Sequence, residues 1–394
     1  MIIGGPPRGF NTWNTFGADI NEKMIFEIAD TMVEKGLLDS GYEHLIIDDI
    51  WSLKERNENG ELVPDPEKFP NGMKYVADYV HSKGLKFGMY SCAGYLTCAG
   101  YPGSYGYEWK DAMTFASWEV DYLKYDFCFH PVTVSTDTLY KRMSLALSNC
   151  GRDILFSACS WGSAGTSKWI AEAGAHAWRS SLDIFDSWES VKKHSIRRIE
   201  RFYENSKGCY NDMDMLVVGM NGQGNVGLTG CTDDEYRLHF ALWAFMSSPL
   251  IIGCDIRTVE DKYLEMIKNK ELLDINSDPL CAQPFIANNT LLTWNENVDI
   301  DTPFYSGVPT DITILGKYLS NGDIALGAFN FTDEEASKER LTVLIDKLGL
   351  PVDCPKKLVF KDVFTGEELT MRSGAFIIPP LSKHSCRVYR GRFV

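Results

Sequence analysis

The chain has 394 residues, of which 44% are hydrophobic and 12% aromatic, so it can bury a large core and is not of the intrinsically disordered class. That length exceeds what one compact core usually supports, which predicts a large domain followed by a smaller one. The formal net charge of -15 disfavours nucleic acid or an anionic membrane as the main partner and fits a small neutral or cationic substrate.

The beginning of the chain, Met1 to Pro7, has no basic segment followed by an apolar one, and no run of about 18 apolar residues occurs that could cross a membrane. The 11 cysteines contain no CxxC pair, which favours mostly reduced thiols. These features predict a cytoplasmic protein without a signal peptide.

Short apolar segments alternate with helical ones about eight times before residue 285, which is typical of parallel strands with helices outside. Asn21 is expected to begin one helix, and Thr232 with Glu235 forms a capping box at the start of another. The predicted strands span residues 9–13, 44–48, 86–91, 122–126, 154–159, 177–181, 213–218 and 250–252. This pattern predicts a (β/α)8 TIM barrel, a catalytic domain over residues 1–285.

The periodicity changes after Pro279. Two apolar segments, 312–319 and 324–331, flank Asn321-Gly322, a strong signal for a β-hairpin. Four more short strands are predicted at residues 341–345, 358–363, 375–378 and 386–389. The sequence therefore predicts a C-terminal antiparallel β-sandwich domain over residues 286–394.

Polar side chains cluster where the predicted barrel strands end. In a TIM barrel these carboxyl ends meet at one mouth, which is where catalysis takes place. The candidates are Trp13, Asp48, Asp49, Tyr90, Lys124, Asp126, Cys159, Ser160, Arg179, Asp183 and Asp214. Adjacent carboxylates can accept hydrogen bonds from neighbouring sugar hydroxyls, and a Trp ring offers a flat apolar face. The set predicts a sugar site with Asp126 as the reacting group.

Each candidate also has a structural alternative. Asp48 could cap a helix, Trp13 and Tyr90 could be core aromatics, and Arg179 could simply neutralise Asp183. Joint placement at successive strand ends favours the functional interpretation. The GxGxxG motif from Gly222 lacks the acidic residue that dinucleotide binding requires, and the basic residues Lys192, Lys193, Arg197, Arg198 and Arg201 are typical of a solvated helix face.

Several motifs follow one another along the barrel region: Gly9-Phe10-Asn11-Thr12-Trp13-Asn14, Ile47-Asp48-Asp49-Ile50-Trp51, Thr97-Cys98-Ala99-Gly100-Tyr101-Pro102-Gly103-Ser104, Lys124-Tyr125-Asp126-Phe127-Cys128, Trp178-Arg179 with Asp183, and Asn211-Asp212-Met213-Asp214-Met215-Leu216. Together they resemble glycoside hydrolase family 27, which contains α-galactosidases and α-N-acetylgalactosaminidases. The resemblance implies a retaining exo-glycosidase that acts on terminal α-linked galactose-type sugars without a cofactor or a metal.

By the same resemblance, Asp126 is the nucleophile and Asp183 the general acid/base. Lys124 is expected to favour the ionised nucleophile and to bind a sugar hydroxyl. The remaining substrate-binding residues implied are Trp13, Asp48, Asp49, Tyr90, Cys98, Cys128, Ser160, Arg179, Asp214 and Met215. Cys98 and Cys128 correspond to a disulfide beside the active site of the family. Such a bond is unusual in a cytoplasmic protein, so a reduced pair is the alternative.

One residue departs from the pattern. Many α-galactosidases of the family have Cys-Glu-Trp where this chain has Cys159-Ser160-Trp161, and the N-acetylgalactosaminidases carry serine. A small side chain leaves room for a 2-acetamido group, which predicts that α-N-acetylgalactosamine is accepted. A strict α-galactosidase and a catalytically inactive galactoside-binding protein are the alternatives. The expected partner is an oligosaccharide with a terminal α-galactoside, and homo-oligomerisation stays open.

Overall fold

The computed structural model describes residues 4–288, 309–351 and 353–394. Eight parallel strands form one curved sheet in the order β8-β1-β2-β3-β4-β5-β6-β7. In chain order they are Arg8–Asn11 (β1), His44–Ile46 (β2), Lys86–Cys92 (β3), Tyr122–Asp126 (β4), Leu155–Ala158 (β5), Ala177–Arg179 (β6), Tyr210–Asp212 (β7) and Leu250–Ile252 (β8). The sheet confirms the predicted barrel fold.

The sheet closes through a single residue rather than a full strand pair. Leu216 forms a parallel bridge with Ile252, and its N–H donates to the Ile251 carbonyl at 2.7 Å. The sequence predicted a strand over residues 213–218, but the regular strand is β7. Asp214 has a φ of 85°, which no β ladder accommodates in a non-glycine residue, so the strand ends before it.

Helices connect the strands and cover the outside of the barrel. The Asn21 side chain accepts the Met24 N–H at 3.0 Å, and Thr232 with Glu235 forms a reciprocal capping box, so both predicted caps are confirmed. The α-helices are Trp13–Phe16, Glu22–Glu34, Gly72–Ser82, Glu108–Ser117, Thr136–Ser148, Trp188–Ile199, Asp233–Phe245, Asp261–Ile267 and Lys270–Asn276. A 3-10 helix, Ser163–Lys168, follows β5, and a small parallel sheet pairs Asp186–Ser187 with Gly227–Gly230.

The C-terminal region forms an antiparallel sandwich, as predicted. A six-stranded sheet has the spatial order Phe285–Ile286, Ile312–Tyr318, Ile324–Asn330, Cys386–Phe393, Leu358–Asp362, Glu368–Thr370. A two-stranded sheet pairs Thr342–Leu344 with Ala375–Ile377, and two 3-10 helices span Lys338–Leu341 and Ile345–Leu348. Gly322 adopts a φ of 85° in the predicted hairpin turn, a conformation that glycine tolerates best.

The predicted boundary after residue 285 falls inside the strand Phe285–Ile286, which pairs with Ile312–Tyr318 of the second sheet. Residues 289–308 of the predicted second domain lie outside the described ranges, so the exact boundary stays a prediction. Within the described ranges, no helix combines the length and the apolar composition needed to span a bilayer.

Candidate active site

Asp48 and Asp49 follow β2 and are both almost fully buried. The Oδ2 atom of Asp48 accepts hydrogen bonds from Asn11 Nδ2 and Lys124 Nζ, each at 2.7 Å. The Oδ2 atom of Asp49 accepts the Ala99 N–H at 3.0 Å, and burial raises the pKa of Asp49. Neither carboxylate caps a helix, so the alternative that Asp48 is a helix cap is not observed. Both have fixed orientations at the barrel mouth.

Asp126 lies at the end of β4 with a donor on each carboxylate oxygen. Tyr90 Oη donates to Oδ2 at 3.2 Å, and the Phe127 N–H donates to Oδ1 at 2.9 Å. Lys124 bonds to Asp48 rather than to Asp126, and its Nζ lies 5.2 Å from the centroid of the Tyr90 ring. Tyr90 is therefore buried like a core aromatic but also positions the proposed reacting group.

Burial and charge act in opposite directions on Asp126. Burial raises the pKa of Asp126 to about 6, although the Lys124 cation and the Phe127 N–H lower it. The charge of Asp183 adds to the increase. The influence predicted for Lys124 is present, but desolvation outweighs it. The carboxyl group is ionised near neutral pH and becomes protonated in mild acid.

Arg179 connects two carboxylates on the opposite part of the mouth. Its Nη1 lies 2.9 Å from Asp214 Oδ1, and its Nη2 lies 3.1 Å from Asp183 Oδ1. The side chains of Arg179 and Asp214 are 5% and 4% exposed, whereas that of Asp183 is 62% exposed. Arg179 therefore does more than neutralise Asp183, because it is anchored in the barrel wall and fixes Asp183 at the opening.

The pKa of Asp183 lies below its ordinary value. Partial burial raises it, but the charges of Arg179 and Lys124, together with the hydrogen bond from Arg179, outweigh that effect. A general acid must carry a proton when the substrate arrives. Because most of the Asp183 side chain faces solvent, coverage by a bound sugar is the change that would raise its pKa.

Cys98 and Cys128 form a disulfide, as the resemblance implied. Both sulfurs and a carboxylate oxygen of Asp126 lie within 4.8 Å of one another. The bond ties the loop after β3 to the loop after β4, and the first of these loops supplies the Ala99 N–H to Asp49. The disulfide is therefore part of the wall beside Asp126. Its sulfurs are bonded to each other and offer no thiolate to a metal.

Trp13 and Met215 line the inner surface of the barrel. Trp13 is partly buried and packs against an apolar cluster that contains Met215. Its backbone N–H donates to Asn11 Oδ1 at 2.8 Å, which fixes the start of the short helix after β1. Partial exposure leaves the indole accessible to a ligand, which a fully buried core aromatic would not be.

Ser160 is fully buried, and its hydroxyl oxygen lies 2.6 Å from that of Thr166. The next residue, Trp161, has a φ of 57°, and its ring packs edge-on against Phe127 with centroids 5.8 Å apart. Gly162 must be glycine, because a Cβ there would lie 2.5 Å from the Ser180 carbonyl oxygen at a φ of 73°. The turn therefore buries the Ser160 hydroxyl and holds it beside the hydroxyl of Thr166.

Three supporting residues were not singled out from the sequence as site residues. Asn11 holds both Asp48 and Trp13, and Thr12 Oγ1 accepts the Asp48 N–H at 3.0 Å. Asp212 accepts the Asp214 N–H at 2.8 Å, and burial raises the pKa of Asp212 to about 6. All three lie within the motifs quoted above. Their position next to site residues in the sequence was the signal that could have identified them as supporting residues.

A cavity of about 810 Å³ opens beside Asp183. Trp161, the loop at residues 181–185 and the helix Trp188–Ile199 form it. Its lining consists of Trp161, Ser181, Leu182, Asp183, Phe185, Glu189, Ser190, Lys192, Lys193, His194, Ile196 and Arg197. Three of the five cations that the sequence placed on a solvated face therefore line a cavity next to the site.

The GxGxxG segment from Gly222 to Gly227 binds a carboxylate of the protein itself. The Gly222 N–H donates to Asp186 Oδ2 at 2.7 Å. The segment leads into the strand Gly227–Gly230 rather than into a helix, so no helix N-terminus is available for a pyrophosphate. This geometry does not fit a dinucleotide site.

Comparison with known proteins gives matches over both domains. A family model described as "Alpha galactosidase A" matches residues 12–278, and one described as "Alpha galactosidase C-terminal beta sandwich domain" matches residues 309–390. Alpha-galactosidase 3 of Arabidopsis thaliana is 46% identical over 384 residues, which cover 98% of this chain and 81% of that protein.

Two solved structures have the same architecture. Alpha-galactosidase I from Mortierella vinacea is 31% identical with a TM-score of 0.84, over 98% of this chain and 97% of that one. The α-galactosidase from Saccharomyces cerevisiae, solved with raffinose, is 26% identical with a TM-score of 0.81, over 99% of this chain and 98% of that one.

Proposed function

The chain belongs to glycoside hydrolase family 27, the α-galactosidase family, and from that premise we propose that it is a retaining exo-glycosidase that removes terminal α-linked galactose from oligosaccharides. Raffinose, bound in the related yeast enzyme, is an example of such a substrate. The observation that carries the proposal is the pair of unlike carboxylates at the mouth. Asp126 is buried with a donor on each oxygen, whereas Asp183 is open to solvent and held by Arg179.

In the proposed reaction, an ionised Asp126 oxygen attacks the anomeric carbon and forms a glycosyl-enzyme ester. Asp183 gives its proton to the leaving oxygen, and later takes a proton from the water that hydrolyses the ester. Tyr90 and the Phe127 N–H hold Asp126 in position for the attack. The charge of Asp183 raises the pKa of Asp126, which supports an electrostatic interaction between the two proposed catalytic carboxylates.

The substrate-binding roles follow from the fixed hydrogen-bonding directions. Asp48, Asp49 and Lys124 would bind hydroxyls on the far side of the galactose ring, and Trp13 would contact an apolar face of that ring. Arg179 and Asp214 would bind hydroxyls near the reacting carbon, beside Met215. Because the carboxylates of Asp48, Asp49 and Asp126 already have hydrogen-bond partners within the protein, little rearrangement of them is needed when a sugar binds.

The nucleophile is tested by Asp126→Asn. With an aryl α-galactoside, kcat is expected to fall about a thousandfold or more because an amide cannot form the ester. In Asp183→Asn, added azide is expected to restore turnover and give a galactosyl azide of retained configuration. Asp274→Asn, which changes an acid on the helix Lys270–Asn276 outside the mouth, is the matched control. Full activity of Asp126→Asn would mean that the protein uses another nucleophile. A wild type that binds galactosides but does not hydrolyse them would mean that the protein is only a binding protein.

We also propose that α-N-acetylgalactosamine is accepted, because Ser160 is small and leaves the space that glutamate would fill. Its hydroxyl is already bonded to Thr166, so acceptance rests on volume rather than on a hydrogen bond to the acetamido group. The test compares kcat/KM on aryl α-galactoside and aryl α-N-acetylgalactosaminide. Ser160→Glu is expected to lower the second value at least tenfold and the first much less. Outright rejection of the acetamido sugar by the wild type would leave a strict α-galactosidase.

A cytoplasmic location stays part of the proposal, although the Cys98–Cys128 disulfide weighs against it because such bonds persist mainly in oxidising compartments. Nine further cysteines are free, and six of them are buried. Fractionation of the source cells followed by activity measurement decides the location.

Sedimentation of the purified chain decides whether it forms homo-oligomers.

A further inference from the structure

The cavity of about 810 Å³ beside Asp183 is formed by the loop that carries this proposed general acid, by Trp161 and by the helix Trp188–Ile199. In the proposed function Asp183 protonates the oxygen that joins galactose to the rest of the substrate, so the leaving sugar has to extend past this carboxyl group. Asp183 itself lines the cavity. We call this space the aglycone cavity, and the inference below rests on the proposed function.

Apolar side chains form part of the aglycone cavity and are partly open to solvent. Leu182 and Phe185, in the loop after β6, are 58% and 43% exposed. Trp161 lines the cavity from the other side and packs against Phe127, the neighbour of Asp126. Exposed aromatic and aliphatic groups around a concave site mark a binding surface, here for the apolar face of a sugar ring.

Three cations on the helix Trp188–Ile199 complete the cavity wall. Lys192, Lys193 and Arg197 line it, and none of their side chains forms a hydrogen bond or an ion pair with a described residue. Glu189, one turn earlier, also lines the cavity but forms no ion pair with either lysine. Arg197 is half-buried, and burial lowers its pKa; the charge of Arg201 adds to the decrease and that of Glu204 opposes it, but no carboxylate forms an ion pair with the guanidinium within the described residues.

The sign of these charges is opposite to that of the protein as a whole. The chain carries a formal net charge of -15, and most of its cations outside this cavity, such as Arg257 and Arg390, are paired with carboxylates. A group of unpaired cations in an acidic protein, arranged around a concave surface beside a catalytic acid, is suited to attract and hold an anion.

We infer that the aglycone cavity selects substrates whose leaving sugar carries an anionic group, either a carboxylate as in a uronate or a sulfate ester. The sugar ring would lie against Trp161, Leu182 and Phe185, and its charged group would reach Lys192, Lys193 and Arg197. The galactose itself stays neutral and is bound by the carboxylates of the mouth. Selectivity for the leaving sugar is thus separate from recognition of the galactose.

The test uses three matched α-galactosyl disaccharides in which the leaving sugar is glucose, glucuronate or a glucose sulfate. The wild type is expected to show a kcat/KM about tenfold higher on an anionic disaccharide than on the glucose disaccharide, as three weak exposed contacts together would give. In a Lys192→Gln/Lys193→Gln/Arg197→Gln variant this ratio should fall to about one, while activity on the glucose disaccharide changes little. Added salt should also reduce the wild-type ratio.

Lys141→Gln is the control, since Lys141 is exposed on the helix Thr136–Ser148 and does not line the cavity. Titration calorimetry of the same disaccharides with Asp126→Asn reports the preference without turnover. A wild-type ratio near one, or a ratio that survives in the triple variant, would overturn the inference. If the wild type hydrolyses none of the disaccharides but calorimetry shows preferred binding of an anionic one, the proposed function is overturned instead. A preference for only glucuronate or only the sulfate identifies the anion.

Discussion

Asp126 carries opposing physical requirements in a single side chain. As the proposed nucleophile it must be ionised to attack, yet it lies at the end of a buried strand, where burial raises its pKa to about 6. Lys124 lowers that pKa, but its hydrogen bond goes to Asp48 at 2.7 Å, so one cation contacts the proposed sugar-binding carboxylate and influences the proposed nucleophile. Substitution of Lys124 is therefore expected to affect both the pH dependence and the binding of the sugar.

The substitution Lys124→Met is expected to move the acidic limb of the pH profile of kcat/KM. Asp126 must be ionised, so wild-type kcat/KM should decrease as the pH falls through about 6. Removal of the neighbouring cation raises the pKa of Asp126, and the midpoint should move upward by about one unit. Lys141→Met, outside the mouth, is the control. A lowered kcat/KM with an unmoved midpoint would show that Lys124 acts only through Asp48.

At the scale of elements, the site depends on the loops that follow the carboxyl ends of the barrel strands. The loop after β3 supplies the Ala99 N–H to Asp49, and the loop after β4 carries Cys128. The disulfide between Cys98 and Cys128 joins these two loops across 30 residues. Loss of that bond frees the loop that orients Asp49, although Asp126 is still held by Tyr90 and its own strand.

Replacement of both bonded cysteines, Cys98→Ser with Cys128→Ser, is expected to raise KM for an aryl α-galactoside about tenfold and to change kcat less. Thermal unfolding should also occur at lower temperature, since opening a loop of this length lowers stability by about 3 kcal/mol. Cys354→Ser, which alters a free cysteine of the second domain, is the control. An unchanged KM would indicate that other contacts suffice to position Asp49.

At the scale of the whole molecule, a buried lysine connects the two domains. Lys317 belongs to the strand Ile312–Tyr318, and its Nζ donates to Ser247 Oγ at 2.6 Å, the Ile275 carbonyl at 3.1 Å and the Phe245 carbonyl at 3.3 Å. Burial lowers the pKa of Lys317 to about 8, and Arg198 adds to the decrease, whereas Cys281 and Asp278 oppose it. The catalytic barrel and the sandwich are therefore coupled through a titratable group.

This coupling predicts a pH dependence of stability. The unfolded chain holds the Lys317 proton up to its ordinary pKa of about 10.5, whereas the folded protein releases it near 8, so the free energy of unfolding should rise between these values. Chemical denaturation across this range should show a gain of roughly 3 kcal/mol for the wild type relative to Lys317→Met. Parallel curves for the two proteins would mean that Lys317 does not change its protonation on unfolding.

Much of the architecture was predictable because it depends on local sequence patterns. The alternating apolar and helical segments predict eight strand-and-helix units, Asn321-Gly322 predicts the hairpin, and Thr232 with Glu235 predicts a helix start, since each depends on neighbours in sequence. The strand ends also predict Asp126 and Asp183 as site residues. One strand was misplaced because the positive φ of Asp214 depends on its hydrogen bonds within the folded site.

What the sequence by itself determined was the barrel, the sandwich and the residue types at the mouth, because hydrophobic periodicity and turn chemistry act over a few residues. Only the tertiary structure decided which partners those residues have. Lys124 bonds to Asp48, and Arg179 to Asp214, because folding brings side chains from different strands together. Asp183 stays open to solvent, and Ser160 is closed off by Thr166 through a turn within its own loop. The same long-range packing turns a basic helix face into one wall of a cavity beside Asp183.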